Sequence, residues 1–281
     1  MRRIYDLITT LVRINQLRLE KGFRDRIIAT WLKVFFLRRY DSKNGTANIA
    51  GLNVKFINYR LFSFLFHEIF TNNEYCFVSE RNDPYIIDCG SNIGMSVLYF
   101  KMLYPDARIV AFEPGEEAYR CLNENVTNNQ LKSVTMHQAA LSNEEGTIDF
   151  YYDPDNVGAL AMSVKQERMP KQKRSVKATL LSKYINEDVD FLKIDIEGAE
   201  LEVIEELYKA EKLKYVKQMV IEYHHHISKD ADMFSKFLRI LEDAGLGYQI
   251  QGYLERPLVR ERFQDIFVYA YRKESAGQPN A

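Results

Sequence analysis

Pro84-Tyr85-Ile86-Ile87-Asp88-Cys89-Gly90-Ser91-Asn92-Ile93-Gly94-Met95-Ser96 decides how this chain folds. Residues 85–87 are a short apolar run behind a proline breaker, as expected of a parallel strand buried on both faces. Asp88 closes the strand with a carboxylate. Gly90 and Gly94 lack a Cβ, so backbone there can approach a ligand closely. Asn92 is expected to cap the next helix, whose free N–H groups then face the turn. Open α/β sheets bind ligands at the carboxyl ends of their strands, where Asp88 stands. The spacing is not the Gly-x-Gly-x-x-Gly of nicotinamide enzymes, because Asn92 stands in place of a second glycine.

The surrounding 281 residues suit one large domain, or one domain with a helical extension. With 46% hydrophobic and 27% charged residues, the composition is that of a globular protein. A net charge of -1 argues against nucleic acid as a partner. The charge is uneven. Ahead of Asp41, Arg2, Arg3, Arg13, Arg18, Lys21, Arg24, Arg26, Lys33, Arg38 and Arg39 face only Asp6, Glu20 and Asp25. Such an arm suits a membrane surface or a second subunit. Cys76, Cys89 and Cys121 have no metal-binding spacing, and a reducing cytoplasm is expected. No apolar run is long enough to span a bilayer, and the start has no small-residue cleavage site after an apolar core. The expected location is cytoplasmic, peripheral to the inner face of the membrane if the arm meets lipid.

Residues 1–45 read as a basic helical arm, with Ile4, Leu7, Leu11, Ile14 and Leu17 on one stripe and Trp31 in a second patch. Packing on the catalytic domain or on a second subunit is the favoured reading of both patches. Contact with an anionic membrane is the sharper one. Residues 41–46 are expected to be a polar linker. Residues 46–84 form a lead-in, with a hairpin at 49–57 and a buried helix at 61–70.

From residue 85 to 273, strands and helices alternate. Strands are expected at 85–88, 108–113, 134–140, 147–152, 190–195, 218–223, 248–253 and 263–271, the last of them open to an antiparallel pairing. Helices are expected at 95–103, 116–128, 199–210 and 231–244. Residues 153–174 read as an insertion with a basic cluster at Lys165, Arg168, Lys171, Lys173 and Arg174, either a solvated loop or a contact for an anionic acceptor. Residues 274–281 read as a disordered tail.

Three strand ends carry polar groups. Glu113 ends the second strand about two dozen residues after Asp88, the place of a ribose-binding carboxylate in a nucleoside-binding unit. Asp195 ends the fourth strand in Leu192-Lys193-Ile194-Asp195-Ile196-Glu197-Gly198-Ala199-Glu200, so it should face the same crevice as Asp88. Ile221-Glu222-Tyr223-His224-His225-His226 follows on the fifth strand. If it stays extended, His224 and His226 share a face and His225 points away.

Taken together, Ile-Asp-Cys-Gly-Ser-Asn-Ile-Gly, Ala111-Phe-Glu-Pro114, Ala139-Ala-Leu-Ser142 followed by Gly146, Leu-Lys-Ile-Asp-Ile-Glu-Gly-Ala-Glu and Ile-Glu-Tyr-His resemble the FkbM family of methyltransferases, over residues 80–226. The Asp-x-Gly-x-x-x-Gly spacing by itself resembles the first motif of Rossmann-like methyltransferases. The resemblance implies a Rossmann-like class I methyltransferase fold: α/β, a mostly parallel twisted sheet with helices on both faces, here with a helical N-terminal extension. It implies S-adenosylmethionine as cofactor and methylation of a hydroxyl on a saccharide, glycolipid or natural product, a small-molecule or glycan acceptor.

Carried over, Asp88, Gly90, Ser91, Asn92, Gly94 and Ser96 would line the methionine end, and Glu113 with Pro114 the ribose. The backbone at Ala140 and Ser142 would border adenine, and Asp195 would lie near the sulfonium and the acceptor. His224 is the first candidate for a general base, with Asp195 or Glu222 orienting it or acting instead. The competing account places Mg²⁺ or Mn²⁺ on Asp195, Glu222 and His224. Two other functions stay open: a nicotinamide-dependent oxidoreductase on the same fold, and a non-catalytic binding protein that uses the basic arm.

Overall fold

The protein was analysed as a computed structural model, which describes residues 9–12, 14, 21–37, 43–153, 163–168, 172–227, 232–252 and 263–273. A seven-stranded sheet runs through it in the order β11-β12-β10-β9-β3-β4-β5. The strands are β3 (Tyr85–Cys89), β4 (Arg108–Phe112), β5 (Val134–His137), β9 (Phe191–Ile194), β10 (Gln218–His225), β11 (Leu246–Gly252) and β12 (Gln264–Arg272). β12 runs antiparallel to both neighbours, and every other pairing in this sheet is parallel. β3 sits centrally, paired with β4 on one side and β9 on the other. The chain direction across the sheet reverses there, which opens a crevice at the strands' carboxyl ends.

All five residues of β3 are buried, as a continuous apolar run requires. Ile86 and Ile87 belong to different cores, one on each face of the sheet. One core is covered by α3 (Met95–Leu103) and α4 (Glu116–Asn128), the other by α5 (Glu200–Lys209) and α6 (Phe234–Asp243). In α4 the inward stripe is Ala118, Cys121, Leu122, Asn125 and Val126, at helical spacing. A second sheet, β6 (Ala140–Leu141), β8 (Gln172–Thr179) and β7 (Gly146–Tyr152), stands beside the first.

Several local expectations need correction. Residues 43–46, read as linker, open β1 (Lys43–Ile49), which pairs with β2 (Leu52–Asn58). Polar residues suit a ribbon whose outward face meets water. The strand expected at 134–140 is divided: β5 ends at His137, and Ala140 pairs with Ala178 in the smaller sheet. The expected insertion gives up its last residues to β8, while 154–162 and 169–171 lie outside the described residues, as does the tail at 274–281. Asn92 does not cap α3. It takes a left-handed φ of 48° and its Oδ1 accepts from Ile93 N–H at 2.8 Å, while Gly94 occupies the cap position with φ 86°.

The lead-in is docked, not free. After β2 come α2 (Tyr59–Phe66) and a π-helical turn (His67–Thr71). Asn125 of α4 holds the hairpin from a fully buried position: its Oδ1 accepts from Lys55 N–H at 2.6 Å, and its Nδ2 donates to Lys55 O at 3.0 Å and Ile93 O at 2.7 Å. Of the N-terminal arm, α1 (Lys21–Leu37) packs Ile27, Trp31 and Val34 into the same core, and Val34 O accepts from the Tyr59 hydroxyl at 3.0 Å. Among the described residues no helix is long and apolar enough to cross a membrane.

Asn125→Ala removes three hydrogen bonds to backbone, at Lys55 N–H, Lys55 O and Ile93 O, so it should cost about 3 kcal/mol. Asn129→Ala, whose bonds to Asn53 are exposed, should cost well under half of that. Urea midpoints at constant slope measure both; equal shifts would contradict the docking role.

Candidate active site

A cavity open to solvent lies at the carboxyl ends of β3, β4 and β9, where open α/β sheets bind their ligands. Its floor is the turn after β3. Gly90 and Ser91 N–H both donate to Phe112 O, at 3.0 and 2.9 Å, and Asp195 N–H donates to Cys89 O at 3.1 Å. Gly90 sits at φ 83°, and a Cβ there would stand 1.8 Å from Asp195 O, so only glycine lets β3 and β9 end side by side. Gly94 does not line the cavity; a Cβ on it would lie 2.7 Å from Leu122 Cδ1, so its role is to let α3 start close against α4.

Asp88 lies just beneath the floor, fully buried. Its Oδ2 accepts from Ser96 Oγ at 2.5 Å and its Oδ1 is 3.5 Å from Lys193 Nζ. Lys193 is also buried. Its Nζ donates to Gly90 O at 2.6 Å, lies 3.4 Å from Asp195 Oδ2 and 5.2 Å from the Tyr75 ring centroid. Burial alone would lower this ammonium's pKa, but Asp195, Asp88 and Glu222 outweigh it and hold it raised. The sequence reading gave Lys193 no role. The signal was present: a lysine within an apolar strand, one residue pair from two strand-end aspartates.

Glu113 follows β4 with 5% of its surface exposed. Its Oε2 accepts from Asn92 N–H at 2.9 Å and its Oε1 from Gly115 N–H at 2.7 Å. Burial pushes its pKa up to about 7 against these two bonds. Gly90, Ser91, Asn92, Ser96, Glu113 and Asp195 all line the cavity. So do Pro114 and Ala140, with Phe112, Leu141 and Phe150 adding apolar wall. Ser142 does not; its N–H donates to Thr179 O at 3.2 Å.

Glu222 and His224 come together on β10, and neither lines the cavity. His224 Nδ1 is 2.8 Å from Glu200 Oε1, and Nε2 is 3.2 Å from Glu197 Oε2 and 3.9 Å from Asp195 Oδ1 and Asp265 Oδ1. Its side chain is 1% exposed and does not line the cavity. Burial would lower this imidazole, but Glu200 and Glu197 dominate and hold its pKa well above the ordinary value. Both nitrogens are engaged, and these carboxylates favour the charged form of the ring. Glu222 is raised by burial and then by Asp195.

The expected metal set Asp195, Glu222 and His224 does not close. Ligand atoms gather as Asp195–Glu197–His224 and as Glu222–His224–Asp265, with Asp195 and Glu222 in different groups. His224 and His226 also do not share a face, because the strand ends at His225 and His226 turns back at φ 62°.

Sequence reasoning missed the contribution of the lead-in. Tyr75 lines the cavity, and its hydroxyl donates to Asp195 Oδ2 at 3.5 Å. Glu68 and Glu74 approach the same cluster. Burial, then Glu74 and Asp195, push Glu68 up to about 9, and burial pushes Glu74 up to about 7. No local motif marks these residues. The basic cluster is largely consumed within the chain: Lys165 pairs with Glu202, Arg168 with Glu197, Lys173 with Asp149 and Arg174 with Glu117. Lys171 lies outside the described residues.

Residues 88–250 match the family model described as "Methyltransferase FkbM domain". Methyltransferase sdnD of Sordaria araneosa is 31% identical over 191 residues, 57% of this chain and 73% of its own length. The 31-O-demethyl-FK506 methyltransferase FkbM of Streptomyces tacrolimicus is 31% identical over 37% of this chain and 41% of its own length. The 2-O-methyltransferase NoeI of Sinorhizobium fredii is 28% identical over 44% of this chain and 58% of its own length. The matched part of the chain thus spans about half the length of the last two relatives.

Glu68, Glu74 and Glu113 hold their protons more tightly folded than unfolded. Their contribution to stability is complete below about pH 4.5, and it is lost as pH rises through 7 for Glu74 and Glu113 and through 9 for Glu68. The ligand-free protein should therefore melt at a lower temperature at pH 8.5 than at pH 6. Glu68→Gln should flatten the upper part of that decline; a profile with unchanged slope would refute the assignment.

Proposed function

Because this chain belongs to the FkbM methyltransferase domain family, we propose that it is an S-adenosylmethionine-dependent O-methyltransferase acting on a hydroxyl of a saccharide, glycolipid or natural product. The observation that carries this reading is the meeting of Glu113 and Asp195, from different strand ends, around one glycine-floored cavity at the reversal point of the sheet. Two of the relatives are named for methylation at oxygen, which supports the choice of atom.

The residues fit a sulfur-bearing nucleoside. Gly90, Ser91, Asn92 and Ser96 offer backbone and small side chains to the methionine end. Glu113 has lone pairs left after its two backbone bonds and can accept from both ribose hydroxyls. Pro114, Ala140, Leu141 and Phe150 supply an apolar slot for the base. Asp88 acts from behind the wall by fixing Ser96 and Lys193. Bound S-adenosylmethionine supplies a methyl group already activated by positive sulfur.

The chain's own work is then to place the acceptor in line and take its proton. We assign the proton to Asp195 Oδ1. Asp195 lines the cavity, and its other oxygen is held by Lys193 and Tyr75. His224, enclosed and protonated, positions the turn carrying Asp195 and Glu197. No catalytic metal is assigned. For residues 21–37 we propose packing on the chain's own domain in preference to lipid, since Ile27, Trp31 and Val34 are buried there. A nicotinamide enzyme or a non-catalytic binder gains no support from the site or the relatives.

Glu113→Gln should weaken S-adenosylhomocysteine binding about 10-fold or more in calorimetry, the scale of a hydrogen bond to a charged group. Wild-type affinity should rise from pH 6 to pH 8 as Glu113 ionises near 7, and Glu113→Gln should lose that rise. Asp195→Asn should keep S-adenosylhomocysteine affinity while methyl transfer to any accepted hydroxyl drops about 10²–10⁴-fold. Undiminished transfer would remove Asp195 from the mechanism.

A further inference from the structure

Only the first of the three consecutive histidines turns into the carboxylate cluster. The other two converge elsewhere. β10 ends at His225, and His226 takes a left-handed φ of 62°. For a residue with a side chain that conformation costs on the order of 1–2 kcal/mol. The turn lays the two imidazoles against each other, with centroids 3.8 Å apart and planes 26° from parallel. Both Nε2 atoms approach one carboxylate oxygen: Asp232 Oδ1 is 2.8 Å from His226 Nε2 and 3.9 Å from His225 Nε2. One ligand atom from each of the three residues lies within 4.8 Å of the other two.

We propose that His225, His226 and Asp232 form a binding site for a transition-metal ion of the zinc class. Two imidazoles and a carboxylate are a donor set found in three-ligand zinc sites, which leave the fourth position to water. Imidazole favours zinc, copper or nickel over magnesium, whose preference is for oxygen. Tetrahedral ligand atoms about 2.0–2.1 Å from zinc lie a little over 3 Å apart, so occupancy needs His225 Nε2 to close its 3.9 Å gap to Asp232 and the rings to rotate out of their stack until both lone pairs meet at the ion. The ion has a way in: the rings are 15% and 22% exposed and Asp232 is 76% exposed. The His225 ring also lies against Tyr223 and Phe234, which keeps its Nε2 on the side of Asp232.

The site is separate from the cofactor cavity, since none of its three residues lines it. It does not depend on the methyl-transfer reading. Its place suggests what occupancy does. His226 and Asp232 are the two ends of a five-residue connection, 227–231, between β10 and the start of α6. Ile227 in that connection packs on the Gly198 turn; a Cβ on Gly198 would lie 2.6 Å from Ile227 Cδ1. Glu197, the partner of His224, is the next residue. Bound metal would clamp the exit of β10 against the turn that holds the catalytic cluster in register.

Calorimetric titration of the full chain with Zn²⁺, in a Cys76→Ser background to remove the exposed thiol, tests this directly. The expected result is one equivalent bound, with Mg²⁺ showing no comparable binding, and Co²⁺ giving tetrahedral visible bands without thiolate charge transfer. His226→Ala and Asp232→Asn should each weaken Zn²⁺ at least about 10-fold, no less than the loss of an outer partner costs. Both variants should bind S-adenosylhomocysteine as the parent does, which checks their folding. Zn²⁺ should raise the melting temperature of the parent and not of the variants. Absence of Zn²⁺ binding, or binding that neither substitution weakens, would overturn the proposal.

Discussion

The ammonium of Lys193, sealed between Asp88 and Asp195, is the constraint on which the rest of this structure depends. It ties two adjacent strand ends that each finish in a carboxylate, and it also donates to Gly90 O. A buried charge of this kind persists only when paired, because removing one partner of such a set costs about 3–5 kcal/mol. The glycine turn cannot drift from β9, since Gly90 has no room even for a Cβ beside Asp195 O. The floor of the cavity is therefore fixed before any ligand arrives. A preformed site loses less ordering entropy when it binds.

A second electrostatic theme surrounds Asp195. Carboxyls from four parts of the chain converge there: Glu68 and Glu74 from the lead-in, Asp195 and Glu197 after β9, Glu222 on β10 and Asp265 on β12. Two cations, Lys193 and His224, offset some of that charge, with Arg168 adding a third contact at Glu197. The remainder is relieved by protonation: burial and mutual repulsion raise Glu68, Glu74 and Glu222. That balance favours the charged ring of His224, enclosed by Glu200 and Glu197, and with it the part of a counter-ion over that of a base.

The lead-in completes the site by contributing a wall. Leu65 and Ile69 from α2 and the π turn line the cavity with Tyr75. Their placement is transmitted through the hairpin, which Asn125 holds to α4, and α4 itself is packed on Gly94 through Leu122. The residues matched by the family model begin at 88, so this wall lies outside the matched region.

Sequence alone determined the central architecture, because its signals are local. The buried run before Asp88, the glycines after it, and the strand-end carboxylates Glu113 and Asp195 each follow from short-range sterics and a repeating βα pattern. The same reasoning located α3, α4 and α5 to within a residue or two, since the inward stripe of a helix is written at fixed spacing. Tertiary structure decided what depends on partners far along the chain. The role of Lys193 rests on neighbours about 100 residues away. The charge of His224 follows from how many carboxylates surround it, which no spacing states. Likewise Asn92 reads as a cap until the packing of Gly94 against Leu122 moves the helix start. Backbone geometry is set within a few residues, whereas protonation and pairing are set by whatever the fold brings alongside.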